Sequence, residues 1–197
     1  DSFSLNKDKF RDNNFSKTLP AVQASQANEI LKDSYNLGFL GLTEPVAELE
    51  LEKRLIEKIK IFMLELGKGF AYIGNQFRIE YNGKEYFVDL LFSNRKLNCL
   101  VAIDLKIGEF KSEYVGKMNM YLSLLDKLEK EETENQFIGI ILCAEKDHLD
   151  VELALQDINK PIAVSDYELL VPKNELQTLI LNEMKQVQIT DNDEAEK

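Results

Sequence analysis

Residues 86–110 read YFVDLLFSNRKLNCLVAIDLKIGEF, two apolar runs joined by a short polar turn. The first run and the continuous stretch LVAI in the second are typical of buried strands near the middle of a sheet. Asp89, Asp104 and Lys106 interrupt these runs with charge. An unpaired buried charge is costly, so the three side chains either pair with one another or hold a ligand.

Strand periodicity predicts that these charges meet on one side of the sheet. Successive side chains of a strand point to opposite faces, so Asp104 and Lys106 share a face. The turn between the two runs makes the strands neighbours and brings Asp89 beside them. Two carboxylates can bind Mg²⁺, and a lysine can orient or deprotonate an attacking water. From the pattern alone, a buried Asp–Lys ion pair or solubilising charges on an edge strand are equally open readings.

The flanking sequence predicts a mixed α/β fold. Thr43 to Leu66 has a helical apolar stripe, with Thr43 as its cap, Pro45 in its first turn and Gly67 at its end. Asn82-Gly83 indicates a hairpin between two strands. The other predicted elements are strands at Phe70–Tyr81, Glu85–Phe92, Leu97–Ile107, Phe137–Glu145 and from Ile162, and helices at Glu113–Glu129, His148–Ile158 and Lys173–Gln188. This order predicts a mixed central β-sheet with helices on both faces.

Three segments are predicted along the 197 residues. Residues 1–36 are polar and are interpreted as an N-terminal arm or the remnant of an upstream helical domain, with some helix from Ala21 to Lys32. Residues 37–188 form the main domain, and 189–197 a disordered acidic tail. Because the sequence begins at Asp1 without a methionine, we interpret it as part of a longer protein.

Composition indicates a globular domain with 44% hydrophobic and 30% charged residues. The sequence has neither an apolar run long enough to span a membrane nor a visible signal peptide, and Cys99 and Cys143 are expected to be buried free thiols. These features favour a cytoplasmic location. The net charge of −11 argues against nucleic-acid binding, which needs Lys and Arg at the phosphates. However, eight cations cluster in the central region: Lys68, Arg78, Lys84, Arg95, Lys96, Lys106, Lys111 and Lys117.

The charged pattern resembles that of the PDDEXK nucleases, with an acid on one strand, acid-x-Lys on the next, and a preceding helix that carries a Glu. The segment LELGKGFAYIGNQFRIEYNGKEYFVDLLFSNRKLNCLVAIDLKIGEFKSEYVGKMNMYLSLLD resembles the C-terminal domain of the bacterial YhcG-type proteins. The likeness continues through IGIILCAEKD, VELAL and KPIAVSDYEL and spans roughly residues 37–170. It implies a restriction-endonuclease-like (PDDEXK) core and a mostly helical domain upstream.

The resemblance also implies the site. Asp89 matches the Asp of the family's IDLLF-like strand, and Asp104 and Lys106 match Glu-Leu-Lys. Asp in place of Glu is a departure that shortens the reach to a metal by one methylene. The other residues implied are Glu52 as a supporting metal carboxylate in competition with Glu48 and Glu50, Gln76 as a polar strand position, and Asn119 and Tyr121 near the site. Lys111 and Lys117 are proposed from their charge alone, as cations that meet phosphates rather than solvated helix charges. The expected nucleic-acid contacts are thus Lys111, Lys117, Asn119 and Tyr121. The implied catalytic set is thus Asp89, Asp104, Lys106, Glu52 and Gln76, with Mg²⁺ or Mn²⁺ held by Asp89, Asp104 and Glu52.

The function expected from the sequence is metal-dependent hydrolysis of phosphodiester bonds in nucleic acid, DNA being favoured over RNA. A homodimer is compatible with it. Two alternatives stay open at this point. One is a nucleic-acid-binding or assembly module of the same fold with weak or no catalysis, which Asp104 in place of Glu and the acidic composition favour. The other is a protein-interaction domain that dimerises through its long first helix.

Overall fold

Six α-helices and six strands are present in the part of the chain that the computed structural model describes, namely residues 12–171, 174–175, 177–178 and 180–181. In chain order they are α1 (Phe15–Thr18), α2 (Ala21–Ile30), β1 (Ser34–Asn36), a 3₁₀ turn (Gly38–Leu40), α3 (Glu48–Glu57), α4 (Ile59–Leu66), β2 (Phe70–Tyr81), β3 (Lys84–Asn94), β4 (Cys99–Leu105), α5 (Glu113–Leu128), β5 (Ile138–Cys143), α6 (His148–Leu155) and β6 (Ile162–Glu168).

The strands form one mixed sheet in the order β1-β6-β5-β4-β3-β2. β3 pairs antiparallel with both β2 and β4, whereas β5, β6 and β1 add to β4 in parallel. Asn82 and Gly83 both have positive φ, 51° and 71°, which a tight hairpin between β2 and β3 requires. The predicted mixed sheet with flanking helices is therefore confirmed.

The apolar runs lie in the middle of the sheet, as expected. Every residue of β5 is buried, and β4 is buried at all positions except the half-buried Leu100. Strands covered on both faces need apolar side chains at every position rather than at alternate ones. Asp104 is thus a carboxylate in the most enclosed part of the fold.

Helices cover both faces of the sheet. Leu91, Ala102 and Gly139 lie side by side on neighbouring strands and face α5. A Cβ at Gly139 would come within 2.5 Å of Met118, so only glycine lets α5 approach this closely. On the opposite face Phe62 of α4 packs edge-on against Phe92, with ring centroids 6.0 Å apart. Because Asp104 is two residues beyond Ala102, it lies on the face covered by α5.

The predicted single helix from Thr43 to Leu66 is wrong. The helical region begins at Glu48, and α3 and α4 are separate because Lys58 leaves helical geometry at φ −109° and ψ 33°. The Lys58 ammonium donates to the carbonyl of Phe39 at 3.0 Å, a contact between segments distant in sequence. Pattern and propensity read only local preference, which such tertiary contacts override.

The part of the predicted N-terminal arm that is described, residues 12–36, packs against the main domain. Phe15 is fully buried in the common core, and β1 pairs in parallel with β6. The Asn14 side chain bonds the backbone at Lys160 and Ile162. The predicted acidic tail lies outside the described residues, as does much of the predicted helix Lys173–Gln188.

Both cysteines, Cys99 and Cys143, are buried free thiols, as predicted. Within the described ranges, none of the helices combines the length and apolar character needed to cross a membrane.

Candidate active site

The Asp89 carboxylate closes the ladder between β3 and β4. Its Oδ2 accepts a hydrogen bond from the backbone N–H of Leu105 at 2.8 Å, which fixes the side chain toward Asp104 on the neighbouring strand. Its Oδ1 accepts from the Gln76 amide at 3.3 Å. Both oxygens are therefore held in place by donors from two different strands.

Gln76 links two carboxylates. Its Nε2 donates to Glu52 Oε2 at 2.6 Å as well as to Asp89. Its backbone is left-handed, with φ 45°, an uncommon conformation for a residue other than glycine within a strand. Burial raises the pKa of the Glu52 carboxyl, the Gln76 bond opposes that rise, and the Asp89 charge adds to it. The amide thus stabilises two acids that would otherwise repel each other.

Asp104 is fully buried and in contact with two ammonium groups. Its Oδ1 lies 3.3 Å from Lys106 Nζ and 3.7 Å from Lys117 Nζ. Its Oδ2 is also buried and accepts no hydrogen bond from a donor group among the described residues. Burial, then the charge of the neighbouring Asp89 carboxylate and a hydrogen bond with it, raise the pKa of Asp104 to about 6 despite both lysines. The two ammonium groups therefore do not fully offset the burial of Asp104 beside a second carboxylate.

Lys106 is enclosed by groups that favour its charged form. It contacts Glu48 Oε1 at 3.3 Å and lies 5.3 Å from the centroid of the Tyr114 ring. The Tyr167 hydroxyl donates to its backbone carbonyl at 2.8 Å and fixes the strand end. Burial would lower the pKa of the Lys106 ammonium, but the carboxylate of Asp104 and then that of Glu48 outweigh burial and raise it. Lys106 is therefore an ammonium ion in this state.

Two site residues were missed or misassigned from the sequence. Glu48 competed with Glu52 for one role, whereas the structure gives each its own partner, Lys106 and Gln76 respectively. Their spacing of four residues on α3 places both on one face and could have indicated this. Glu50 pairs with Arg54 instead, away from the site. No sequence pattern indicated Tyr114 beneath Lys106.

The four predicted nucleic-acid contacts separate into two groups. Lys117 and Tyr121, one turn apart on α5, lie at the site, with the ammonium 5.4 Å from the ring centroid. Asn119 lies about 200° around the helix from both, since each residue turns about 100°. Lys111 is exposed in the loop before α5, outside the contacts that join Lys106 and Lys117 to Asp104.

The donor set fits a hard divalent cation with few protein ligands. Asp89 and Asp104 supply adjacent carboxylates, one oxygen of which is buried and unpartnered. Mg²⁺ is often bound by one or two carboxylates, with water and substrate phosphate completing its shell. Among the described residues, no group of three or more His, Cys, Asp or Glu side chains is arranged to hold a metal. Glu52 joins the acidic pair through Gln76 rather than directly.

Comparison with known proteins assigns the family. The model of the YhcG PDDEXK nuclease domain matches residues 28–185. The chain belongs to this family. "Putative nuclease YhcG" of Escherichia coli (strain K12) is 37% identical over 153 residues, which cover 78% of this chain and 41% of that protein. This YhcG-type domain thus spans about two fifths of its relative's length.

Solved structures give more distant similarities. A repair endonuclease from Pyrococcus abyssi is 17% identical with a TM-score of 0.41, over 66% of this chain and 49% of that one. A complex of EndoMS with double-stranded DNA is 16% identical with a TM-score of 0.43, over 66% of this chain and 47% of that chain. The assignment of this YhcG-type domain to the PDDEXK fold rests on the family match and on the sheet described above.

Proposed function

We propose that this chain is a nuclease that hydrolyses phosphodiester bonds in nucleic acid and depends on Mg²⁺ or Mn²⁺. The observation that supports it most directly is the unpartnered, fully buried Oδ2 of Asp104 beside the Asp89 carboxylate. A buried acceptor without a donor is costly to the fold, and a bound cation would satisfy it at the point where two carboxylates adjoin. A divalent cation is the ligand that two adjacent carboxylates bind best.

Asp89 and Asp104 would hold the metal, and Glu52 would support it through Gln76. When bound, a divalent ion neutralises charge on the phosphate and lowers the pKa of a coordinated water. The Leu105 N–H and the Gln76 amide fix the direction of the Asp89 oxygens. Such outer contacts orient metal ligands and are important for affinity.

Lys106 would act as an ammonium ion. In the structure its carboxylate neighbours favour the charged form, which can orient water and stabilise negative charge but cannot accept a proton. In the reaction the water oxygen gives up a proton to solvent and bonds to phosphorus, the bond to the leaving sugar oxygen breaks, and that oxygen takes up a proton from solvent. Lys106 would stabilise the charge that develops on the phosphoryl oxygens during this exchange.

A second function keeps support from two observations. A nucleic-acid-binding module without catalysis would be consistent with the absence of a three-ligand acidic cluster among the described residues. It would also be consistent with Asp104 in place of the family's Glu. Such a module would bind DNA and leave it intact in the presence of Mn²⁺.

The proposed partner is DNA rather than RNA, a preference that rests on the family resemblance. A homodimer would place two sites on one duplex and remains a proposal, to be checked by light scattering over a range of protein concentrations. The proposed setting is the cytoplasm.

Titration calorimetry with Mn²⁺ followed by incubation with labelled nucleic acid tests the function. The wild type should bind Mn²⁺ and cut one or more of single-stranded, duplex and branched DNA, with matched RNA as comparison. Asp89→Ala should lose both properties, and Lys106→Ala should lose cleavage. Asp150→Ala, an exposed acid on α6, is the matched control and should behave as wild type. Cutting by Asp89→Ala at the wild-type rate would refute the site.

A further inference from the structure

The two lysines that contact Asp104 are held very differently. The Lys106 side chain is only 10% exposed and has a second carboxylate, Glu48, at the same distance of 3.3 Å. The Tyr114 ring covers it. Moving the Lys106 ammonium away would break its ion pairs with both Glu48 and Asp104. Lys106 is therefore a fixed part of the site.

Lys117 is held loosely in comparison. Its side chain is 46% exposed, and its ammonium lies 3.7 Å from Asp104 Oδ1, near the outer limit of an ion pair. Its other neighbour is Tyr121, which is 5% exposed and lies one turn along α5. A long flexible side chain at the rim of a pocket can leave for water at little cost. Lys117 is thus the cation that can move.

Charge balance favours that movement when a metal binds. Asp89 and Asp104 are adjacent carboxylates. The Lys106 ammonium is shared between Asp104 and Glu48, so it offsets only part of their charge. In the metal-free protein Lys117 adds the second positive charge at Asp104. A divalent cation at these acids repels both lysine ammonium groups, because the local dielectric is below that of water. Lys117 is the more distant and the more exposed of the two, so it is the one that moves away.

We propose that Lys117 is an exchangeable counter-ion, which neutralises Asp104 in the metal-free protein and pairs with a substrate phosphate oxygen once a divalent metal has displaced it. The inference rests on the proposed function and adds a defined role to one residue. It gives a single lysine two successive partners, a carboxylate and then a phosphate. Metal binding thereby releases a cation at the place where the nucleic acid must bind.

Removal of this counter-ion should strengthen metal binding. In calorimetric titrations, Lys117→Met should bind Mn²⁺ about fivefold more tightly than wild type, the upper end of what losing one weak competing ion pair contributes. The matched control is Lys127→Met, which removes the same charge from the same helix. Lys127 is exposed and lies 5.4 Å from the Tyr81 ring centroid, as Lys117 does from Tyr121. Its affinity for Mn²⁺ should stay within about twofold of wild type.

The second partner is tested by cleavage with each variant saturated in Mn²⁺. Lys117→Met should cut at least about tenfold more slowly in single turnover although it holds metal more tightly, since a charge-assisted phosphate contact is lost. Lys117→Arg, which keeps the charge, should recover most of the rate. Tighter metal with slower cleavage is a combination that a purely structural lysine would not produce.

The outcomes separate the inference from the proposed function. If wild type binds Mn²⁺ and Lys117→Met binds it equally or more weakly, the counter-ion role is overturned while the metal site stands. If Lys117→Met binds more tightly but cuts as fast as wild type, the transfer to phosphate is overturned. If the folded wild type binds no Mn²⁺, both proposals fail together.

Discussion

At Asp104 the requirements of the fold and of the proposed function conflict. Its carboxylate is fully buried, one of its oxygens has no partner among the described residues, and a second carboxylate adjoins it. An apolar side chain of similar size would fit the centre of the sheet better. A group kept in such an environment stores binding energy for a cation, and the metal-free protein should be less stable because of it.

The pH dependence of the free energy of unfolding should reveal the cost of burying the Asp104 carboxylate. The pKa of Asp104 is about 6 in the folded protein, above the value of about 3.9 in an unfolded chain. The stability contributed by the neutral carboxyl is present below the unfolded pKa and is lost as pH rises through about 6. Asp104→Asn, which does not titrate, should escape this loss. Without metal, the wild type should lose about 1–3 kcal/mol more than the variant between about pH 4 and pH 7.

Urea unfolding in the presence of a chelator, at a series of pH values, measures this difference. The Asn variant is matched in shape, so a difference reports charge. Equal pH profiles for the two proteins would show that Asp104 is not under electrostatic strain.

Two substitutions of Gln76 separate the effect of its backbone strain on stability from the effect of its side-chain hydrogen bonds on metal binding. Gln76→Ala and Gln76→Gly both remove the amide that joins Glu52 to Asp89, so both should weaken Mn²⁺ binding about tenfold or more. Only glycine tolerates the positive φ without cost, so Gln76→Gly should be about 1 kcal/mol more stable than Gln76→Ala. Calorimetry and urea unfolding of the pair test the two effects. Unchanged metal affinity in both would show that the amide has no part in orienting the acids.

Sequence alone could bring Asp89, Asp104 and Lys106 together because strand alternation is a strict rule. Positions 104 and 106 share a face in any strand. The short turn before β4 makes β3 its neighbour and so brings Asp89 beside them. The approach of Lys117 to Asp104 depends instead on how α5 lies across the sheet. That distance is decided by how closely Met118 of α5 packs on Gly139, which is far from both Lys117 and Asp104 in sequence, so no local pattern contains it.

At the level of elements, sequence periodicity correctly predicted the long and regular strands and helices. The hairpin β2–β3, the strands β4 and β5, and α5 agree with expectation within a few residues. The break at Lys58 and the strand β1 were missed. β1 has three residues, too few for a periodic signal, and exists because β6 offers it a parallel edge. Tertiary contacts therefore created the elements that local preference did not encode.

The attachment of residues 12–36 should depend on Asn14. Its Nδ2 donates to the carbonyl of Lys160 at 2.9 Å and its Oδ1 accepts from the N–H of Ile162 at 2.8 Å, at the start of β6. Asn14→Ala leaves these buried backbone groups without partners and should cost about 2–4 kcal/mol in the free energy of unfolding. The exposed Asn159→Ala, in the same connection, should change it by less than about 0.5 kcal/mol. Urea unfolding measures both, and equal losses would place the attachment elsewhere.

At the scale of the molecule, the net charge of −11 and the proposed function on nucleic acid have to be reconciled. The clustering of eight cations in the central region left a locally positive cleft open. Arg78 is instead paired with two exposed acids, Glu80 and Glu85, and Lys106 is enclosed. Lys117 is free for phosphate only after metal binding, on the inference above. Few cations near the site are thus available to a nucleic acid.

DNA binding by this chain should therefore be weak and only modestly sensitive to salt. Each phosphate neutralised contributes about −0.9 to the slope of log affinity against log salt concentration, so two or three contacts predict a slope of about −2 to −3. Fluorescence anisotropy with a labelled duplex, in the presence of metal and a cleavage-deficient Lys106→Ala background, measures this slope. Lys111→Gln, close to the site in sequence, should reduce its magnitude by about 1.

The control for that measurement is Lys84→Gln at the far end of the β2–β3 hairpin. Lys84 is five residues from Asp89 along one strand, which at about 3.4 Å per residue places it about 17 Å from the site. Losing its charge should leave the slope unchanged, because screening at ordinary salt extends only about 10 Å. A slope steeper than about −6 would mean that the nucleic acid follows a second, more basic surface. The acids at the site would then act on a strand delivered by distant contacts, and Lys84 would be among the first residues to test.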